Sequence, residues 1–127
     1  MKKCLPVLFL LMLVTPVQAK WIEVNSAAKQ GETHYFEPET MLKEGQFRKV
    51  WILSSHDEKQ KGGYHSVKTL YEFDCTHNKA RSITMLLYPD RKASGIVIGA
   101  HHEASQDWSG FSANSMFRHI AETVCVD

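Results

Sequence analysis

The chain has 127 residues, 43% of them hydrophobic, with 15 Lys+Arg against 14 Asp+Glu and a net charge of +1. A charge so near balance argues against nucleic acid or anionic lipid as the main partner, because both select a basic surface. The length allows one domain with a real but modest core.

The first nineteen residues, MKKCLPVLFLLMLVTPVQA, place Lys2 and Lys3 ahead of an apolar run from Leu5 to Val14, then Val17-Gln18-Ala19 with small residues at a cleavage site. This pattern predicts a secretory signal peptide over 1–19. Its apolar run of about ten residues is half a membrane span. Cys4 precedes that run, whereas a lipid-accepting cysteine follows it, so neither a membrane span nor a lipid anchor is expected. Residues 20–127 then form the exported domain. Losing Lys2 and Lys3 leaves 13 Lys+Arg against 14 Asp+Glu, a net charge of −1.

Along the domain, Trp21 to Asn25 and Thr33 to Phe36 are short strand candidates, and Pro38 to Leu42 reads as one helical turn. Gln46 to Leu53 (QFRKVWIL) is rich in β-formers, and Tyr64 to Cys75 alternates, with Val67, Thr69, Tyr71, Phe73 and Cys75 on one side. Both are strands. The polar stretch Ser54 to Gly63 between them ends in a glycine pair and predicts a long hairpin loop. Ser82 to Tyr88 and Gly95 to Ala100 are two more strands, separated by the turn-forming cluster PDRKAS. Consecutive strands joined by hairpins make an antiparallel meander.

At the C-terminus the period changes. Phe117, Ile120, Ala121, Val124 and Cys125 fall at the spacing of one helix face, with Ser112, Asn114 or Ser115 to cap its start. The fold class is therefore α+β: an antiparallel meander with a C-terminal α-helix on one face. Phe47, Trp51 and Leu53 lie on one side of their strand and Val50 and Ile52 on the other, so both sheet faces need cover. The segment with Trp21 or a second copy of the chain would supply it.

Once Cys4 leaves with the signal, Cys75 and Cys125 remain, an even count in an exported chain. Both point inward, one from the strand face and one from the helix face. A Cys75–Cys125 disulfide stapling the last helix to the sheet is expected.

Chemistry finds little support. His101-His102-Glu103 is the most tempting metal cluster, but neighbours on a strand point to opposite faces. The chain contains no H-E-x-x-H, H-x-H or C-x-x-C. Glu72 and Asp74 share a strand face, which reads as a solvated edge rather than an acid/base pair. No G-x-S-x-G elbow and no glycine-rich phosphate loop is present. The residues point to no enzyme, cofactor or metal, and the aromatic residues read as core and turn anchors rather than as an identifiable ligand-binding set.

Trp21, His34-Tyr35-Phe36-Glu37-Pro38, Lys49-Val50-Trp51-Ile52-Leu53, Ser66-Val67-Lys68, Glu72-Phe73-Asp74-Cys75, Arg81, Tyr88, Gly95, Trp108 and Val124-Cys125 together resemble the surface-adhesin protein E family. The most specific elements are the S-x-K-x-x-x-E-x-D-C run and the closing V-C; Glu37 stands where the family more often has aspartate. The resemblance implies a six-stranded antiparallel sheet with a C-terminal helix held on it by a disulfide, and homodimers in some members. It also implies attachment to host extracellular-matrix or plasma proteins, and it brings no catalytic residues. Two readings follow for an exported protein-binding module. One is a secreted or cell-surface adhesin; the other is a soluble periplasmic protein binding an endogenous cell-envelope partner. A metal-binding protein is a third.

Overall fold

The computed structural model describes residues 20–24, 31–102 and 107–126. The segment 1–19, read as a signal peptide, lies outside the described residues, as do Asn25, Glu103 and Asp127. Strands β1 (Ile22–Glu23), β2 (Glu32–Glu44), β3 (Phe47–His56), β4 (Ser66–Asp74), β5 (Lys79–Tyr88) and β6 (Gly99–His102) lie side by side in chain order. Every neighbour pair is antiparallel. A two-residue strand, β7 (Ser109–Gly110), pairs with the start of β5, and helix α1 (Met116–Val124) follows. The meander, the C-terminal helix and the staple between them stand as the sequence predicts.

The hairpin between β2 and β3 closes on Gly45 and Gln46, since Glu44 and Phe47 are already partners. Gly45 has φ +57°, the left-handed conformation that two-residue hairpins require at their first central position and that costs glycine nothing. Between β4 and β5, Asp74 organises the turn: its carboxylate accepts from the Thr76 and His77 amides at 3.1 and 3.2 Å and from the Gln46 side chain at 3.1 Å.

One face of the sheet carries Phe36, Val50, Ile52, Phe73 and Ala80, which pack with Val24 against Ile120, Ala121 and Val124 of α1. The helix starts where its cap allows: the Ser115 hydroxyl accepts from the Arg118 amide at 3.2 Å. Its aromatic end is clamped by rings, with Phe117 edge-on to Tyr71 at 4.9 Å and 6.1 Å from Phe73. Cys75, one residue past β4, bonds Cys125, the C-cap of α1, across 50 residues of sequence.

Three expectations are corrected. Pro38 to Leu42 is not a helical turn but part of the 13-residue strand β2, whose ladder to β3 breaks between Glu37 and Leu42. Among the described residues β1 partners β2 only at Tyr35 and Phe36, and beyond that point a proline that cannot donate is tolerated. The strand after the first hairpin runs on through Ser54 and Ser55 to His56 instead of ending at Leu53. The run Gly95 to Ala100 joins the sheet only from Gly99 and continues to His102.

Candidate functional site

The sheet face turned away from α1 carries Phe47, Lys49, Trp51 and Leu53 from β3, facing Asp74, Glu72, Leu70 and Lys68 of β4. Its cover comes from within the described chain, in cation and aromatic layers. Lys68 lies with its ammonium 4.7 Å from the Trp51 ring centroid and 5.8 Å from that of Trp21, which puts the segment with Trp21 where cover was expected. At the opposite end of the face Trp108 stacks on Arg81 at 4.5 Å and leans on Phe47 at 5.9 Å. Lys92, from the turn after β5, sits 4.1 Å from the Tyr35 ring and donates to its hydroxyl at 3.1 Å. Each contact holds a cation over a ring face, an attraction that strengthens with desolvation.

That turn is built around one carboxylate. Asp90 accepts from the Ser94 amide and hydroxyl, both at 2.8 Å, from the Gly95 amide at 2.9 Å and from the Lys92 amide at 3.3 Å. Partial burial works to raise its pKa, but these donors outweigh it and bring the group down to about 2. A Cβ on Gly95 would lie 2.8 Å from Asp90 Oδ1, so the turn closes only around glycine there.

Glu72 and Asp74 do share a strand face, yet neither is a solvated edge. Glu72 is 8% exposed and accepts from Arg81 Nε at 2.8 Å, with Arg81 Nη2 at 2.6 Å. Asp74 is 9% exposed and receives the turn donors already described, while His77 Nδ1 lies 2.8 Å from its Oδ2. Cross-strand and turn partners hold both carboxylates: Arg81 reaches Glu72 from nine positions away, whereas Asp74 is held mainly by Thr76 and His77, two and three positions on.

His101 and His102 sit on β6, opposite Met85 and Thr84, and both are exposed. His102 Nδ1 lies 3.3 Å from the Thr84 hydroxyl. A cluster that sequence reasoning missed lies at the far end of β2 and β3. Glu32 Oε1 is 3.4 Å from His56 Nδ1, and its Oε2 is 3.6 Å from His34 Nε2; His34 Nδ1 bonds the Ser54 hydroxyl at 2.9 Å. Burial lowers the His34 pKa, against the raising influence of Glu32. Only the hairpin register, Glu32 opposite His56, brings the three together. Among the described residues no group of three His, Cys, Asp or Glu side chains is placed to hold a metal ion, and no helix is long and apolar enough to cross a membrane.

The geometry is therefore that of a disulfide-stapled sheet in which, among the described residues, no buried side-chain polar atom lacks a hydrogen-bond partner. A family model described as surface-adhesin protein E matches residues 21–126. No curated protein and no solved structure matches the chain.

Proposed function

The chain belongs to the surface-adhesin protein E family, and on that premise we propose that it is a non-enzymatic, exported protein-binding module that attaches to host extracellular-matrix or plasma proteins. The observation that carries the reading is the span of the match, which takes in both cysteines and every described strand and helix. The stapled sheet supports it physically: a scaffold that does not reorganise loses little entropy on binding, so a few exposed side chains can hold a partner. The leader over 1–19 belongs to the same reading and delivers the chain outside the cytoplasm.

Fractionation of cells expressing the untagged protein tests it. Protease shaving of intact cells, or recovery from the medium, is expected to find the protein, and the purified protein is expected to bind immobilised matrix or plasma proteins. Protection until osmotic shock, with no such binding, would instead establish the periplasmic alternative with an envelope partner.

Self-association into a homodimer is part of the proposal. Ile96, Val97 and Ile98, at the approach to edge strand β6, are 83%, 41% and 49% exposed, and apolar strand edges of this kind invite pairing with another chain. Light scattering on the purified protein is expected to give twice the chain mass; a monomer at high protein concentration would rule the homodimer out.

A further inference from the structure

The Cys75–Cys125 bridge is the covalent joint between the end of β4 and α1, yet the core does not seal it: both cysteines are only half-buried. A cavity of about 200 Å³ opens beside it, lined by Asn78, Arg118, Ala121, Glu122 and Cys125. Among the described residues Cys125 forms part of its wall and Cys75 does not. Arg118 and Glu122 stand one turn apart on α1, with Arg118 Nε 3.8 Å from Glu122 Oε1 and side chains 41% and 65% exposed. The cavity thus brings solvent and a reachable guanidinium to one of the two bridged residues.

Size and charge narrow what can act there. The cavity is smaller than the roughly 300–1,000 Å³ that whole small-molecule ligands occupy, and is of the scale of one side chain. A disulfide is opened by a thiolate that attacks along the axis of the breaking bond, so the sulfur struck is the one approached from the side away from its partner. The cavity offers that approach at Cys125. A nearby guanidinium attracts a thiolate and keeps it ionised, and Arg118 supplies one. Departure does not choose between the sulfurs. Cys75 would leave beside Asp74, whose charge is offset by donors from Gln46, Thr76 and His77, and Cys125 would leave at the C-terminal end of α1, where Arg48 donates to the Val124 carbonyl.

We propose that the bridge is a thiol–disulfide exchange site, entered through this cavity and attacked at Cys125 Sγ by a protein that carries a Cys-x-x-Cys dithiol, while the domain stays folded. In the first step the incoming thiolate bonds to Cys125 Sγ as the bond to Cys75 breaks, and Cys75 departs as a thiolate that takes a proton from water. In the second, the other thiolate of the dithiol attacks its own sulfur in the mixed disulfide and releases Cys125, which is protonated in turn. Two electrons pass to the bridge and the dithiol ends as a disulfide. The outcome is a freed C-terminal end of α1. This site is independent of the adhesin reading and stands whether or not a matrix protein binds.

The test treats the oxidised protein with 2-mercaptoethanesulfonate or cysteamine, quenches in acid, blocks free thiols with N-ethylmaleimide and maps the peptides by mass spectrometry. The adduct is expected on Cys125 over Cys75 by about fivefold, since the choice of sulfur follows access. Its rate is expected to stay flat in urea well below the unfolding midpoint. At low salt Arg118→Gln is expected to slow the anionic mercaptoethanesulfonate by about threefold and cysteamine less, with Glu122→Gln doing the reverse. Both side chains are largely exposed, so both variants are expected to melt as the parent does. An adduct shared equally with Cys75 or favouring it, a rate that climbs with urea as global unfolding does, or two variants that leave both thiols unchanged would each overturn the site. The peptide acetyl-Cys-Ala-Ala-Cys-amide, set beside dithiothreitol, tests the source of the dithiol. Reduction by both is expected; reduction by dithiothreitol alone would overturn a protein as the reagent.

Discussion

Reduction of the Cys75–Cys125 bond is expected to lower the melting temperature by roughly 20 °C. The bond closes a loop of 50 residues, and cross-linking a loop of that length removes chain entropy from the unfolded state worth about 4 kcal/mol. For a domain of about 100 residues each kcal/mol moves the midpoint by about 4–8 °C. The loss has a location as well as a size. Helix α1 has nine residues, well short of the ~12–15 at which isolated helices become even marginally stable in water. Without the bond, the packing of Phe117, Ile120, Ala121 and Val124 and the contacts at its C-terminal end must hold it alone. Amide exchange after reduction is therefore expected to rise first in residues 116–124, while β3 and β4, paired along their whole shared length, exchange later. A Cys75→Ala, Cys125→Ala double variant should melt with the reduced protein. An unchanged melt with both thiols titrated as free would show that the staple contributes nothing to stability.

What the sequence revealed of this helix, and what it concealed, divide along one line. Signals carried within a single element were legible: the apolar period from Phe117 to Cys125, the serine ahead of it, the alternation that turns Tyr71 and Phe73 to the same side as Cys75. Signals that depend on register between elements were not. Glu72 and Arg81 are nine positions apart and become an ion pair only because the turn after Asp74 sets β4 against β5. Ser54 and His56 look like loop residues by polarity, yet cross-strand partners in His34 and Glu32 let the strand run through them. Pro38 to Leu42 read as a helical turn, whereas the strand admits the proline where its ladder to β3 is interrupted. The family pattern was legible in short runs such as Glu72-Phe73-Asp74-Cys75, but those runs mark the staple and the turn rather than a binding surface.

Arg48 is the residue whose weight the sequence hid most completely, and its replacement is expected to cost nearly as much as the disulfide. It lies on the helix-facing side of β3 with Val50 and Ile52, is 2% exposed, and sits opposite the fully buried Phe73. Its Nε donates to the Val124 carbonyl at 3.0 Å, and its Nη1 donates to the carbonyls of Gly45 at 2.6 Å and Phe47 at 2.9 Å. The guanidinium thus binds the β2–β3 hairpin to the Val124 carbonyl at the end of α1, where the helix dipole favours a cation and no intrahelical donor remains. Arg48→Leu keeps much of the volume but strips the donor from the buried Val124 carbonyl, worth about 1–3 kcal/mol when left unpaired. It also loses the part-buried bonds to Gly45 and Phe47, worth about 1 kcal/mol each. A total loss of roughly 3–4 kcal/mol is expected in urea denaturation, with Arg48→Lys losing less than half of that because one ammonium replaces part of the fork. A variant Arg48→Leu within about 0.5 kcal/mol of the parent, the range of an ordinary surface change, would refute the role. Because Arg48 and Cys125 hold the same helix end, their losses should not add: once the bond is reduced and α1 has loosened, replacing Arg48 should cost measurably less than in the oxidised protein.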